Sequence, residues 1–134
     1  MPTSLRIELF PSDLQRSIGF YSNILGFALL KLKGNYAYLG RDAIFIGAIE
    51  ATSSETIEEQ ARYRQPTKGV ETVLEVDDLK RERDSIMGKC WKLDADIHSQ
   101  PRGLRDFRLI DPDGYYLRIT THRPRRDGTG LAEP

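Results

Sequence analysis

The chain opens on a strict alternation. Leu5, Ile7 and Leu9 alternate with Arg6, Glu8 and Phe10, the period of a strand with one face on a core, and Pro11 and Ser12 end it. From Asp13 the apolar positions change to helical spacing, at Leu14, Ile18, Tyr21 and Ile24. Asp13 suits the N-cap, and Gly26 suits the left-handed residue that stops the helix. Phe27 to Lys33, Tyr36 to Leu39 and Ala43 to Ile49 read as three short strands, parted by Gly34-Asn35 and Gly40-Arg41-Asp42. The first half, about residues 4–50, is therefore predicted as β-α-β-β-β.

The stretch at about 51–68 is polar, with Ser53, Ser54, Thr56, Glu58, Glu59 and Gln60, and has no sustained apolar face; it predicts a linker with room for one helical turn. Val70 to Val76 is a strand with Val70, Thr72, Leu74 and Val76 on one face and Glu71, Val73 and Glu75 on the other. Asp77-Asp78 opens a second helix that runs through about Met87 and ends at Gly88. Strands are predicted at Trp91 to Ile97, Asp106 to Ile110 and Tyr115 to Thr120, the last entered through the turn Asp111-Pro112-Asp113-Gly114. The second half, about 69–122, repeats the order of the first, and a tail follows at 123–134. The repeat is visible in the residues: Ile7 to Leu14 and Thr72 to Leu79 each run from an alternating strand into an acidic helix start followed by Leu. Neither half can bury a sheet face alone. The expected architecture is one α+β domain, two βαβββ modules forming a curled mixed sheet around a central cup.

Length and charge narrow the partners. A chain of 134 residues suits one ordinary domain. Lys plus Arg and Asp plus Glu each number 20, so no net basic field would hold nucleic acid or an anionic membrane. Cys90 is the one cysteine and cannot form an internal disulfide; with no long apolar stretch, a cytoplasmic location is expected. A small molecule is the expected partner.

Two segments carry a family resemblance. Asp13-Leu14-Gln15-Arg16-Ser17-Ile18 with Phe20 to Phe27 resembles the opening helix of the glyoxalase/bleomycin-resistance/dioxygenase (vicinal oxygen chelate) superfamily. Arg105 to Tyr115, with its Asp-Pro-Asp-Gly turn, resembles the closing hairpin. The resemblance spans roughly Leu5 to Thr120. It implies a cup in which enzymes of the superfamily hold a divalent metal with His and Glu side chains, leaving coordination sites for substrate oxygens. Carried over by distance from the helix-start aspartate, the ligand positions fall on Arg6 and Glu71, and the last-strand carboxylate falls on Arg118. The fourth strand, whose register the sequence does not fix, offers Ile44 to Ala48 and no ligand. Two arginines would repel a metal, so neither a metal nor another cofactor is expected.

Face parity supports the same set. Arg6, Glu8 and Phe10 share one face, Glu71, Val73 and Glu75 another, and Tyr116, Arg118 and Thr120 a third. If these faces line a cup, Glu71 is expected between Arg6 and Arg118 as an ion-paired cluster. A solvated sheet face fits the parity equally well.

The resemblance is nearest to the metal-free bleomycin-resistance proteins, which sequester a drug in clefts between two subunits; Asp42 to Ala48 and Gln100 to Phe107 are similar to segments of that group. Where the group commonly has an aromatic residue after the proline, this chain has Arg102. Tyr36, Tyr38, Trp91 and Tyr116 offer aromatic surface for a ligand, or pack in a core. The leading expectation is a metal-independent small-molecule-binding homodimer. The alternative is an enzyme (lyase, isomerase or dioxygenase-like) using Glu8, Glu71 or Glu75 as a base, or a displaced metal site with His122. His98 and Cys90 are expected as a loop histidine and a packed thiol.

Overall fold

The computed structural model describes residues 2–101 and 103–122, so Arg102 and the tail at 123–134 lie outside the described residues. Module 1 contains β1 (Ile7–Leu9), α1 (Leu14–Gly19), β2 (Ala28–Lys33), β3 (Tyr36–Arg41) and β4 (Ile44–Ile49). Module 2 contains β5 (Glu71–Val76), α3 (Leu79–Gly88), β6 (Ala95–Ser99), β7 (Arg105–Ile110) and β8 (Tyr116–Thr121), and α2 (Ile57–Arg64) lies between them. The strands form two four-stranded sheets of the same order, β1-β4-β3-β2 and β5-β8-β7-β6, in each of which the first strand runs parallel to its neighbour and the rest are antiparallel. The α+β class and the repeated module therefore hold.

Each sheet buries the face its alternation marks as apolar. Leu9, Ala37, Leu39, Ile46 and Ala48 line one core face and Leu74, Phe107, Leu109, Leu117 and Ile119 the other, in one continuous cluster with Leu14, Leu79 and Ile86 of the helices. No strand of one sheet pairs with a strand of the other. The modules are joined instead by contacts from the start of module 1 to the β7–β8 turn. Tyr21 donates to Asp111 Oδ2 at 2.7 Å, Ser12 donates its N–H and hydroxyl to Asp113 Oδ1, and the Phe10 N–H donates to the Tyr115 hydroxyl. Arg41 and Glu82 form an ion pair across the same boundary.

Four elements differ from the reading of the sequence. The first helix changes after Gly19 into a π-helical turn at Phe20–Ile24, stopped by Gly26 at φ +74°. The wider turn lets two successive aromatic residues both face inward, Phe20 onto Trp91 (ring centroids 4.6 Å apart) and Tyr21 onto Asp111. The linker holds a full helix, α2, because Thr56 and Glu59 form a capping box. It is held by polar docking rather than an apolar stripe: Arg64 lies 4.2 Å over the Tyr115 ring and donates to the Asp113 carbonyl. The sixth strand starts at Ala95, not Trp91, and Val70 precedes β5, where it is exposed.

Candidate functional site

The faces turned away from the core are polar and aromatic, and cross-strand register fixes their members. In module 1, Glu8 pairs with Gly47 and Gly47 with Tyr38, while Lys31 and Lys33 pair with Tyr38 and Tyr36. The fourth strand therefore turns Phe45, Gly47 and Ile49 to this open face. Gly47 leaves room for the Glu8 carboxylate, which would have to swing aside if a side chain stood there. Tyr38 stacks on Phe45 at 5.6 Å and an interplanar angle of 7°. Phe10 is exposed at the end of β1.

The open face of module 2 carries Glu71, Val73 and Glu75 on β5, Tyr116, Arg118 and Thr120 on β8, and Asp106, Arg108 and Ile110 on β7. At its centre two guanidiniums stand side by side, since Arg108 and Arg118 are direct cross-strand partners. Glu71 lies between them, 3.2 Å from Arg118 Nε and 3.4 Å from an Arg108 terminal nitrogen. Asp106, almost wholly buried, contacts both at 3.7 and 3.8 Å and accepts from the Gln100 amide at 3.3 Å. Burial works against the Arg108 charge, but Tyr116, Asp106 and Glu71 outweigh it and hold its pKa above the ordinary value. Burial, aided by a 2.7 Å hydrogen bond to Asp94, raises the pKa of Tyr116.

The structure brings only two of the expected trio together. Glu71 and Arg118 are ion-paired; Arg6 is not with them, but pairs with Glu8 at 3.4 Å on the other module's face. Arg108 takes the place expected for Arg6. Tyr36 and Tyr38 share the open face of module 1, and Tyr116 that of module 2. Trp91 sits on neither: it packs on Phe20 and donates its Nε1–H to the Ile110 carbonyl, because the chain turns inward before β6 begins. Arg102 lies outside the described residues. Asp106 and Arg108 join the site although no ligand position falls on them; their alternation with buried Phe107 and Leu109 marks them for the open face.

Two hollows adjoin these groups. One, of about 270 Å³, lies on the module 2 face between Val73, Arg118 and the Gln100–Leu104 turn. A larger groove, of about 740 Å³, runs between the β3–β4 turn and β5 with the start of α3. His122 lies at its edge, 2.9 Å from Asp77. His98 sets its Nδ1 toward the Asp96 carbonyl and its Nε2 toward Gln100, near Asp106. Cys90 is exposed rather than packed.

The side chains at the positions that the resemblance gives to metal ligands do not make a set that fits a divalent ion: two are guanidiniums, the fourth strand presents Phe45, Gly47 and Ile49, and the one carboxylate, Glu71, is already shared by two arginines. Among the described residues no three His, Cys, Asp or Glu side chains converge as a metal site. No helix among the described residues is long and apolar enough to cross a membrane.

The family is nonetheless clear. The model of the Glyoxalase/Bleomycin resistance protein/Dioxygenase superfamily matches residues 3–119. No curated protein matches the chain. Among solved structures the fold is similar to that of TioX from Micromonospora sp. ML1, with TM-score 0.72, 18% identity and coverage of 91% of this chain and 100% of that one. It is similar to a bleomycin resistance determinant encoded on the transposon Tn5, with TM-score 0.72, 18% identity and coverage of 91% and 99%. It is also similar to a lactoylglutathione lyase from Agrobacterium tumefaciens, with TM-score 0.65, 16% identity and coverage of 90% and 95%. At these identities the structures speak for the fold, while the match over residues 3–119 places the sequence: the chain belongs to the Glyoxalase/Bleomycin resistance protein/Dioxygenase superfamily.

Proposed function

We propose that the protein binds a small organic molecule without a metal, in a cup that a second copy of the chain completes. The observation that carries the reading is the ion-paired cluster of Arg108, Arg118, Glu71 and Asp106, which takes in two of the positions, Glu71 and Arg118, that the resemblance gives to metal ligands. Arginine and carboxylate in alternation favour recognition of a ligand over activation of a metal-bound water.

The second copy is supported by what each sheet leaves open. Leu30 and Leu32 on edge strand β2 are 53% and 47% exposed, and Phe10 and Val73 are exposed on the two open faces. The faces also complement one another, since Arg6, Lys31 and Lys33 outnumber Glu8 on one, and Glu71, Glu75 and Asp106 outnumber two arginines on the other. Module 1 of one copy laid over module 2 of the other would give two equal cups, each with an aromatic wall of Tyr36, Tyr38 and Phe45. The resistance determinant among the structural neighbours makes sequestration of a drug or metabolite the role to test first.

Backbone NMR with a set of small aromatic fragments tests this reading. Fragments are expected to shift amides of β3, β4, β5, β7 and β8, equally with and without chelator. Shifts that vanish on chelation would contradict it.

A further inference from the structure

We infer that Arg118, with Arg108 beside it, does the work that a metal does in the superfamily's enzymes, holding the ligand's oxygens, and that the pocket therefore takes an organic carboxylate. The inference rests on the reading of the cup as a small-molecule site and names the ligand's class.

The argument starts from hydrogen bonds that are not made. Arg118 Nε is shielded from solvent and has no hydrogen-bond partner. Its contacts with Glu71 and Asp106, at 3.2 and 3.8 Å, are ion pairs, and among the described residues it makes no hydrogen bond at all. Arg108 Nε is in the same state, and that side chain's hydrogen bond to Glu71 is long, at 3.4 Å. The two carboxylates thus balance the charge of the arginines while taking a donor of Arg108 and, among the described residues, none of Arg118. A guanidinium carries five N–H groups in a planar fork that matches a carboxylate edge to edge, and a buried donor without an acceptor is costly. The shielded Nε is closed to a ligand as it is to water, but the terminal nitrogens of Arg118, which lines the hollow, are not so shielded and make no hydrogen bond among the described residues, so an acceptor from outside the chain would complete them.

The hollow beside Arg118 has the right form for that acceptor. Its volume of about 270 Å³ suits a small ring. Val73, Pro101 and Leu104 give apolar walls, and the Gln100 amide and Thr120 stand beside the guanidinium. The Thr120 hydroxyl is itself bonded to the Arg105 carbonyl, so Arg118 remains the unfilled donor. An aromatic acid would set its ring between the walls and its carboxylate on the fork.

Titration calorimetry and NMR with benzoate, benzamide and benzylamine, which share one ring, test the inference. Benzoate is expected to bind at least ~10-fold more tightly than benzamide, as for a charge-assisted pair, and the preference is expected to vanish in Arg118→Met. Arg118→Lys, which keeps the charge without the fork, is expected to fall between them. In the unmodified protein the Arg118 Nε–H resonance is expected to move on addition of benzoate, a reading that needs no variant to fold. Equal binding of benzoate and benzamide at the strands of the cup would overturn this inference and leave the small-molecule reading standing. Tightest binding by benzylamine would overturn it too. If none of the three shifted those strands, both would fall.

Discussion

The Tyr21 hydroxyl donates to Asp111 Oδ2 at 2.7 Å, joining the π-helical turn of module 1 to the β7–β8 turn of module 2. Asp111 Oδ1 meanwhile accepts from the N–H groups of Asp113 and Tyr115. Burial is the larger influence on this carboxyl: it outweighs those three hydrogen bonds and, with neighbouring Asp113, lifts the Asp111 pKa to about 6. Burial also raises the Tyr21 pKa well above its ordinary value.

A pH dependence follows. The folded pKa of Asp111 lies above its unfolded value of 3.8, so the folded state binds the proton more tightly and this group's contribution is complete only below about pH 3.8. That contribution is lost as pH rises through about 6. Relative to Asp111→Asn, the protein is expected to lose on the order of 2–3 kcal/mol between pH 4 and 7, read from urea unfolding at each pH. A constant difference between the two proteins would contradict it.

Gly114 sits in the same turn at φ +90°, and a Cβ there would lie 2.9 Å from the Ala61 Cα of α2. Gly114→Ala is expected to cost roughly 3 kcal/mol, part from the backbone conformation and part from the clash. Ala61→Gly in the same chain removes the Cβ contact at 2.7 Å but keeps the Cα at 2.9 Å, so it is expected to restore only a fraction of the second part. Full restoration would mean that the left-handed backbone contributes nothing.

Glu71→Gln tests the arginine cluster. Its side chain is 22% exposed and those of Arg108 and Arg118 are 24% and 25% exposed, so the cluster is neither a surface pair nor a buried one. A loss of about 1–2 kcal/mol in denaturant unfolding is expected, between the values for those two extremes. A change below about 0.5 kcal/mol would place the cluster with ordinary surface pairs.

Much of this was legible in the sequence because alternation and helix caps are local signals. Ile7 to Leu9 and Glu71 to Val76 displayed their faces, although Leu5, which shares the apolar parity, precedes the strand and is exposed, and the Asp-Pro-Asp-Gly turn marked the closing hairpin. What was not legible depended on tertiary contact. Helix α2 has no apolar stripe and is secured by Arg64 on Tyr115. Trp91 is drawn into the core by Phe20, a partner from the other module. The cup expected from face parity set Arg6 beside Glu71, yet within the chain Arg6 pairs with Glu8, and the neighbour Glu71 does find, Arg108, is fixed by the β5–β8 and β7–β8 registers.

The open faces give a prediction about assembly. Light scattering at micromolar concentration is expected to return twice the chain mass, and Leu30→Lys with Leu32→Lys is expected to shift it toward a monomer if β2 is covered by the second copy. A single-chain mass for the unmodified protein would contradict the shared cup.

Elemental analysis of protein purified without chelator tests the central claim most directly. With guanidiniums at Arg6 and Arg118 and Glu71 already shared between two arginines, divalent metal is expected far below one ion per chain. One tightly held zinc, nickel, manganese or iron per chain would contradict the account and make metal-dependent catalysis the better reading.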